Sequence, residues 1–88
     1  MTWTIEFTPK ARKDIARLQV RDQRRIADFL NLRAASYDNP RLLAKRLTAV
    51  NEELWRFRVG DFRIIVQFQD NHLTILVVEV GDRREVYR

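Results

Sequence analysis

Cysteine is absent from the 88 residues, so the chain can form neither a disulfide nor a thiolate metal site, a usage that suits a reducing compartment. Histidine occurs once, as His72, and one imidazole without thiolates excludes a zinc site. The acidic residues are scattered, which gives metal-assisted chemistry no support, and no metal or other cofactor is expected. Glycine appears only at Gly60 and Gly81 and builds no phosphate-cradling loop. Proline is confined to Pro9 and Pro40. No apolar run is long enough to cross a bilayer. Glu6 interrupts the early apolar stretch, so no secretory leader is expected. These absences give a cytoplasmic protein without a membrane partner as the expectation.

Lysine is scarce as well, found only at Lys10, Lys13 and Lys45, yet the chain is strongly basic. Seventeen basic residues face twelve acidic ones, for a net charge of +5 and a pI near 10.4. Arginine therefore carries the excess, and its planar guanidinium fork fits phosphate and stacks on bases. Such a balance favours a polyanionic partner, with surface solubility as the plainer alternative. Apolar residues make up 45% of the chain, which excludes a disordered tail. The length allows one domain over residues 1–88.

Glycine and proline punctuate the pattern cleanly. Trp3, Ile5 and Phe7 alternate with polar residues, giving a first strand. Thr8-Pro9 reads as an N-cap followed by proline at the first helical position. Ala11, Ile15 and Leu18 form the buried stripe of a first helix. After a break near Gln19 to Arg21, Ile26, Phe29, Leu30, Ala34 and Tyr37 define a second helix ended by Asp38-Asn39-Pro40. The two helices pair as a hairpin. In residues 41–52, Leu42, Leu43 and Leu47 are expected to anchor a short irregular segment to the core. Three strands follow, at 54–59, 62–69 and 72–80. Gly60-Asp61 suits a type II′ turn between the first two, and Asp70-Asn71 a type I′ turn between the last two. The sum is an α+β domain: an N-terminal strand, a two-helix hairpin, then an antiparallel three-stranded meander, in the order β-α-α-β-β-β.

The first of these turns fixes a register, and the register places the charges. With Gly60-Asp61 as the loop, Val59, Phe57 and Trp55 pair with Phe62, Ile64 and Val66 on the face that the helices cover. Arg58 then lies across from Arg63, and Arg56 across from Ile65, on the opposite face. Continued through Asp70-Asn71, the same count puts Thr74, Leu76, Val78 and Val80 on that face too. Guanidinium groups directly opposite one another repel. Either Glu52, Glu53 or Glu85 neutralises them, or an anion binds there. Ile65, Leu76 and Val78 give the basic face an apolar floor, suited to RNA phosphates and bases or to an amphipathic helix of a protein partner. Trp3, Phe29, Trp55 and Phe57 are assigned to the core, and His72 to an exposed turn.

The segment L-W-R-F-R-V-G-D-F-R-I-I-V, the terminal L-V-V-E-V-G-D-R-R-E-V-Y-R and the opening W-T-I-E-F-T-P-K-A-R-K-D-I together resemble the RelE toxins of the RelE/ParE superfamily. The resemblance spans nearly the whole chain and implies the RelE-like fold just read. It implies a type II toxin that enters the ribosomal A site, cleaves mRNA there as an endoribonuclease and so inhibits translation. The 2′-hydroxyl attacks the adjacent phosphate without a metal and leaves a cyclic phosphate end. The implied partners are a cognate antitoxin, the ribosome and mRNA, with promoter DNA met only through the antitoxin complex.

By position, the resemblance implies a catalytic set of Arg56, Arg58, Arg63, Arg83 and Tyr87, and RNA contacts at Lys45, Arg46, Arg84 and Arg88. Lys45 and Arg46 are equally compatible with a solvated pair. The chemistry needs a base for the 2′-hydroxyl, an acid for the leaving 5′-oxygen and positive charge on the phosphorane. Arg63 and Arg83 suit the charge; Tyr87 suits base stacking or proton transfer. Some relatives carry lysines where Arg56 and Arg58 stand, and relatives often carry a histidine where Asp82 stands. A guanidinium, which stays protonated throughout the working range, is a poor base, which leaves Asp82, Glu85 or water. The ParE branch, whose members inhibit DNA gyrase without cutting nucleic acid, shares the fold. A catalytically weakened relative acting as a binding or regulatory module is the third reading.

Overall fold

Thr8 begins the first helix and ties it to the sheet in the same place. Its hydroxyl accepts a hydrogen bond from the Ala11 amide at 3.1 Å, donates to the Val78 carbonyl at 3.1 Å, and its own amide donates to the Val77 carbonyl at 2.9 Å. This is the N-cap read from Thr8-Pro9, with proline where no amide is needed. The protein is seen here in a computed structural model that describes residues 2–48 and 52–82. Its elements are β1 (Thr4–Phe7), α1 (Pro9–Ala16), α2 (Val20–Asp28), β2 (Lys45–Arg46), β3 (Trp55–Val59), β4 (Phe62–Gln69) and β5 (Thr74–Asp82). The sheet order is β1-β5-β4-β3-β2. β1 runs parallel to β5, and the remaining pairs are antiparallel.

The helices pack over one face of the sheet. Ala11, Ile26, Leu30 and Ala34 meet Phe57, Ile64, Val66, Ile75 and Val77 in the core, with Ile15 and Leu18 packed against its margin. Phe29 meets Phe57 edge-on at 5.2 Å between ring centres, and Phe68 meets Trp3, Trp55 and Phe57 in the same manner at 5.8–6.0 Å. The aromatic residues assigned inward are inward. The side chain of Gln23 donates to the carbonyls of Ile15 and Leu18, satisfying the end of α1 and holding the corner between the helices.

The second helix departs from the even spacing read in the sequence. Its regular part stops at Asp28, and Phe29–Ala34 continue as a wide π-helical turn, in which the Ala35 amide reaches the Leu30 carbonyl. The Ala35 carbonyl then accepts from the Trp3 amide, which stops the helix on the sheet. This widening rotates Tyr37 out of the expected stripe, leaving it 38% exposed. Pro40–Leu43 form a single 3-10 turn. Leu43 packs on the core as expected, whereas Leu42 faces solvent at 75% exposure, because a three-residue repeat cannot turn two adjacent leucines inward. β2 is an unforeseen fifth strand, too short for any periodicity to announce it.

Gly60 adopts φ +59 while Asp61 does not enter the left-handed region, as a type II′ reversal requires. The second reversal differs from expectation. Asp70–His72 form a 3-10 turn, Leu73 takes φ 44, and Gln69 pairs with Thr74 rather than His72. Asp70 is engaged elsewhere: its carboxylate accepts two bonds of 2.8 Å from the Arg41 guanidinium. That guanidinium also lies over the Phe68 ring at 4.8 Å and the Trp55 ring at 5.6 Å, and reaches Glu53 at 3.6 Å. Arg41 thus closes the distal end of the core, joining the 3-10 turn to both central strands.

Two outcomes follow for stability. Gly60→Ala is expected to cost about 1–2 kcal/mol, since a side chain at positive φ is strained and its Cβ would stand 2.7 Å from the Arg25 guanidinium; urea denaturation measures it. The hydrogen bonds and charge of Arg41 hold the Asp70 carboxyl below its ordinary range against a smaller opposing effect of burial. A lowered folded-state pKa stabilises above the unfolded value and is lost as pH falls through the folded one. Asp70→Asn should therefore lower Tm by a few degrees at neutral pH, about 0.5–1 kcal/mol for an exposed pair of good geometry, and by nothing in strong acid.

Candidate nucleic-acid interface

The register of β3 and β4 is the one that the Gly60-Asp61 turn demands. Val59 pairs with Phe62, Phe57 with Ile64, Trp55 with Val66, Arg56 with Ile65 and Arg58 with Arg63. Phe57, Ile64 and Val66 are fully buried beneath the helices, so Arg56, Arg58, Arg63 and Ile65 occupy the other, open face. In a two-residue hairpin the pair nearest the loop is hydrogen-bonded. The next, Arg58 and Arg63, is therefore a non-hydrogen-bonded pair, the kind in which Cα atoms approach to about 4.5 Å and side chains stand closest.

Lys45 pairs with Arg56, and Arg46 with Trp55. The register thus separates two neighbours that sequence treats alike. Lys45 joins the arginines on the open face, and Arg46 falls on the other side of the edge strand. The open face gathers Lys45, Arg56, Arg58 and Arg63 around Ile65, which is 7% exposed and lies outside the main core cluster. Further along the same face stand Gln67, Gln69, Thr74 and Leu76, none of them charged. Positive charge is confined to the end of the sheet where β3 and β4 reverse.

Of the three carboxylates read as neutralising partners, Glu53 is directed elsewhere, and Glu52 is exposed with no ion pair among the described residues. Glu53 accepts from the Trp55 indole at 3.2 Å and pairs with Arg41. Among the described residues no ion pair reaches Lys45, Arg56, Arg58 or Arg63. Glu85, the third candidate, lies outside the described residues, as do Arg83, Arg84, Tyr87 and Arg88. Gly81 pairs with Arg63, so the chain reaches the start of that terminal segment beside the arginine cluster.

β5 corrects the expected arrangement at one point. The four-residue loop between β4 and β5 is two longer than expected, an even change that leaves parity intact, and Thr74 and Leu76 stand on the open face as read. Between Ile65 and Val66 the register then shifts: Val66 pairs with Val77, but Ile65 pairs with Glu79 and Ile64 with Val80. Val78 is the extra residue of a β-bulge. Val80, expected on the open face, is consequently 6% exposed within the core. Glu79 takes the open-face place instead, half-exposed and 3.7 Å from the Lys10 ammonium. Unbroken alternation would have set this carboxylate among Ile75 and Val77 in the core, and that conflict was the signal for a bulge.

This small α+β domain has the fold implied by the toxin class that the sequence resembles, and the comparisons agree on that fold. Residues 5–87 match the family described as the ParE toxin of type II toxin–antitoxin systems, parDE. The chain belongs to this family, within the RelE/ParE superfamily of toxins. It is similar to Toxin RelG of Mycobacterium tuberculosis, with 26% identity over 88 residues, covering 100% of this chain and 99% of that relative. Its fold is similar to the RelBE2 toxin–antitoxin complex of the same organism, at a TM-score of 0.85, 24% identity and coverage of 94% and 93% of the two chains. It is also similar to a double arginine-to-alanine variant of E. coli RelE in the free state, at a TM-score of 0.72, 22% identity and coverage of 99% and 92%.

The like-charge pair has a measurable consequence. Arg58→Gln removes the repulsion with Arg63 and is expected to stabilise the fold by a few tenths to about 1 kcal/mol, seen as a higher urea midpoint with unchanged slope. A loss of stability would mean that an internal anionic partner already neutralises the pair.

Proposed function

We propose that this toxin is a ribosome-dependent endoribonuclease, a single domain over residues 1–88, which cleaves mRNA in the ribosomal A site. The observation that carries this reading is the gathering of Arg56, Arg58 and Arg63 on one face with no ion-pair partner among the described residues. A protein surface tolerates that repulsion where an anion of high charge density occupies it in the working state. Lys45 and Ile65 extend the surface: the lysine toward the RNA backbone, the isoleucine as an apolar seat for a base. In the transition state the transferring phosphate gains negative charge, and fixed guanidinium groups beside it act without reorganising at the moment of reaction. Arg83 and Tyr87 join this set, with Arg84 and Arg88 as backbone contacts, and Arg46 binds RNA only from the rim of the sheet.

The reaction is metal-independent transesterification. The 2′-hydroxyl attacks the adjacent phosphorus, the 5′-oxygen leaves, and a cyclic phosphate remains. The partner outside the ribosome is a cognate antitoxin: the structural relatives from M. tuberculosis and Pyrococcus horikoshii are toxin–antitoxin complexes. Promoter DNA is met only through that complex. The protein works in the cytoplasm, where its substrate is, and no described helix is long and apolar enough to cross a membrane.

The test is to add the protein to translating ribosomes and map the 5′ ends of the mRNA. Cuts within the A-site codon, absent on naked RNA, are the expected result. Arg56→Ala and Arg63→Ala should each reduce cutting by about 100-fold, the scale of losing one preorganised charge at a developing anion; wild-type cleavage by both variants would refute the assignment. Because the matched family is described as ParE toxins, a supercoiling assay with purified gyrase is the discriminating control. Inhibition there, with intact mRNA, would favour the non-nucleolytic reading.

A further inference from the structure

Guanidinium groups supply charge but not a proton acceptor, so the arginine face is chemically incomplete. We infer that Glu79 completes it, as the base that takes the proton from the attacking 2′-hydroxyl. This rests on the nucleolytic reading proposed above and adds a residue to it.

The argument begins with the bulge. It turns Glu79 from the core side of β5 to the open side, opposite Ile65 and one diagonal step from Arg63, whose own partner is Gly81. Diagonal cross-strand neighbours stand roughly 7–8 Å apart at Cα, within reach of two long side chains. A phosphodiester held by Arg63 above the Ile65 floor therefore has a carboxylate on one flank and Arg56 and Arg58 on the other. The bulge is pinned from outside the sheet: the Thr8 hydroxyl holds the Val78 carbonyl, and the Asp14 carboxylate accepts from the Val80 amide at 3.0 Å. The residues on either side of Glu79 are thereby fixed by the N-cap of α1 and by α1 itself. Among the described residues Lys10 of α1, itself paired with Asp14, makes an ion pair with Glu79, and Arg63 of β4 is its diagonal neighbour in the register. Lys10 bonds Asp14 at 3.1 Å and lies 3.7 Å from Glu79. Glu6, a second described carboxylate on this face, pairs with Leu76, away from Arg63.

The step balances without an outside reagent. The Glu79 carboxylate takes the 2′-hydroxyl proton as the oxygen–phosphorus bond forms. The bond from phosphorus to the 5′-oxygen breaks, and that oxygen receives a proton from solvent water. The Glu79 carboxylic acid then returns its proton to the hydroxide so formed. The products are a 2′,3′-cyclic phosphate and a 5′-hydroxyl.

The experiment uses the full chain on ribosomes programmed with a defined mRNA. Glu79→Gln, nearly the same in shape, is expected to lose about 100-fold or more in single-turnover cleavage, the scale of general-base catalysis. It should keep ribosome binding and Tm. Glu79→Asp should recover part of the rate. Lys10→Ala breaks the ion pair but leaves the carboxylate, and should retain most activity. Wild-type cleavage by Glu79→Gln, or an equal loss in Lys10→Ala, would each overturn the role of Glu79 while leaving the ribonuclease reading intact. A wild-type protein that cuts nothing would overturn both.

Discussion

The reversal at Gly60 and Asp61 decides which way every side chain on the two central strands faces. Strand periodicity is two, so a slip of one residue would carry Phe57, Ile64 and Val66 into solvent and three arginines under the helices. The burial of those apolar side chains and the left-handed conformation available to Gly60 enforce the same pairing. Agreement between local turn chemistry and global hydrophobic pattern is what allows a small core to specify one register. The arginine cluster is a by-product of that agreement: once the apolar residues are in, the guanidinium groups are out, and opposite one another.

The two ends of the sheet handle arginine differently. At the distal end Arg41 is matched with Asp70 and Glu53 and flattened on aromatic rings, where its long side chain covers apolar surface as well as carrying charge. At the turn end Arg56, Arg58 and Arg63 have no such partners among the described residues. The same residue type serves as a clasp in one place and as an unfilled anion seat in the other. The difference lies in the acids supplied by neighbouring segments, not in the arginines themselves. Composition therefore signals a polyanionic partner, while only the pairing of strands says where it would sit.

Much of this was legible from residue order. The Thr8-Pro9 helix start, the inward aromatic residues and the pairing of Arg58 with Arg63 all follow from short-range rules, and all hold. What sequence could not give were features set by distant contacts. The second hairpin follows the engagement of Asp70 by Arg41, twenty-nine residues away. The π-helical turn and the exposure of Tyr37 follow the docking of Ala35 on Trp3. The bulge at Val78 is fixed by Thr8 and Asp14 from the far edge of the sheet, so the parity of Val80 and Glu79 was misplaced by one step. The separation of Lys45 from Arg46 required a strand of two residues, below the length at which alternation carries information.

The edges of the sheet also bear on how the molecule meets copies of itself. One border is β1, a four-residue strand along the first part of β5, and Thr8 and Asp14 take up groups of β5 beyond it. The opposite border is β2, only two residues long and made of one lysine and one arginine. A second molecule approaching that border in the same orientation would bring cation against cation over too short a ladder to compensate. Strands so rich in valine and isoleucine would otherwise be prone to zipping together. Here the residues that border the anion seat also discourage stacking into fibres.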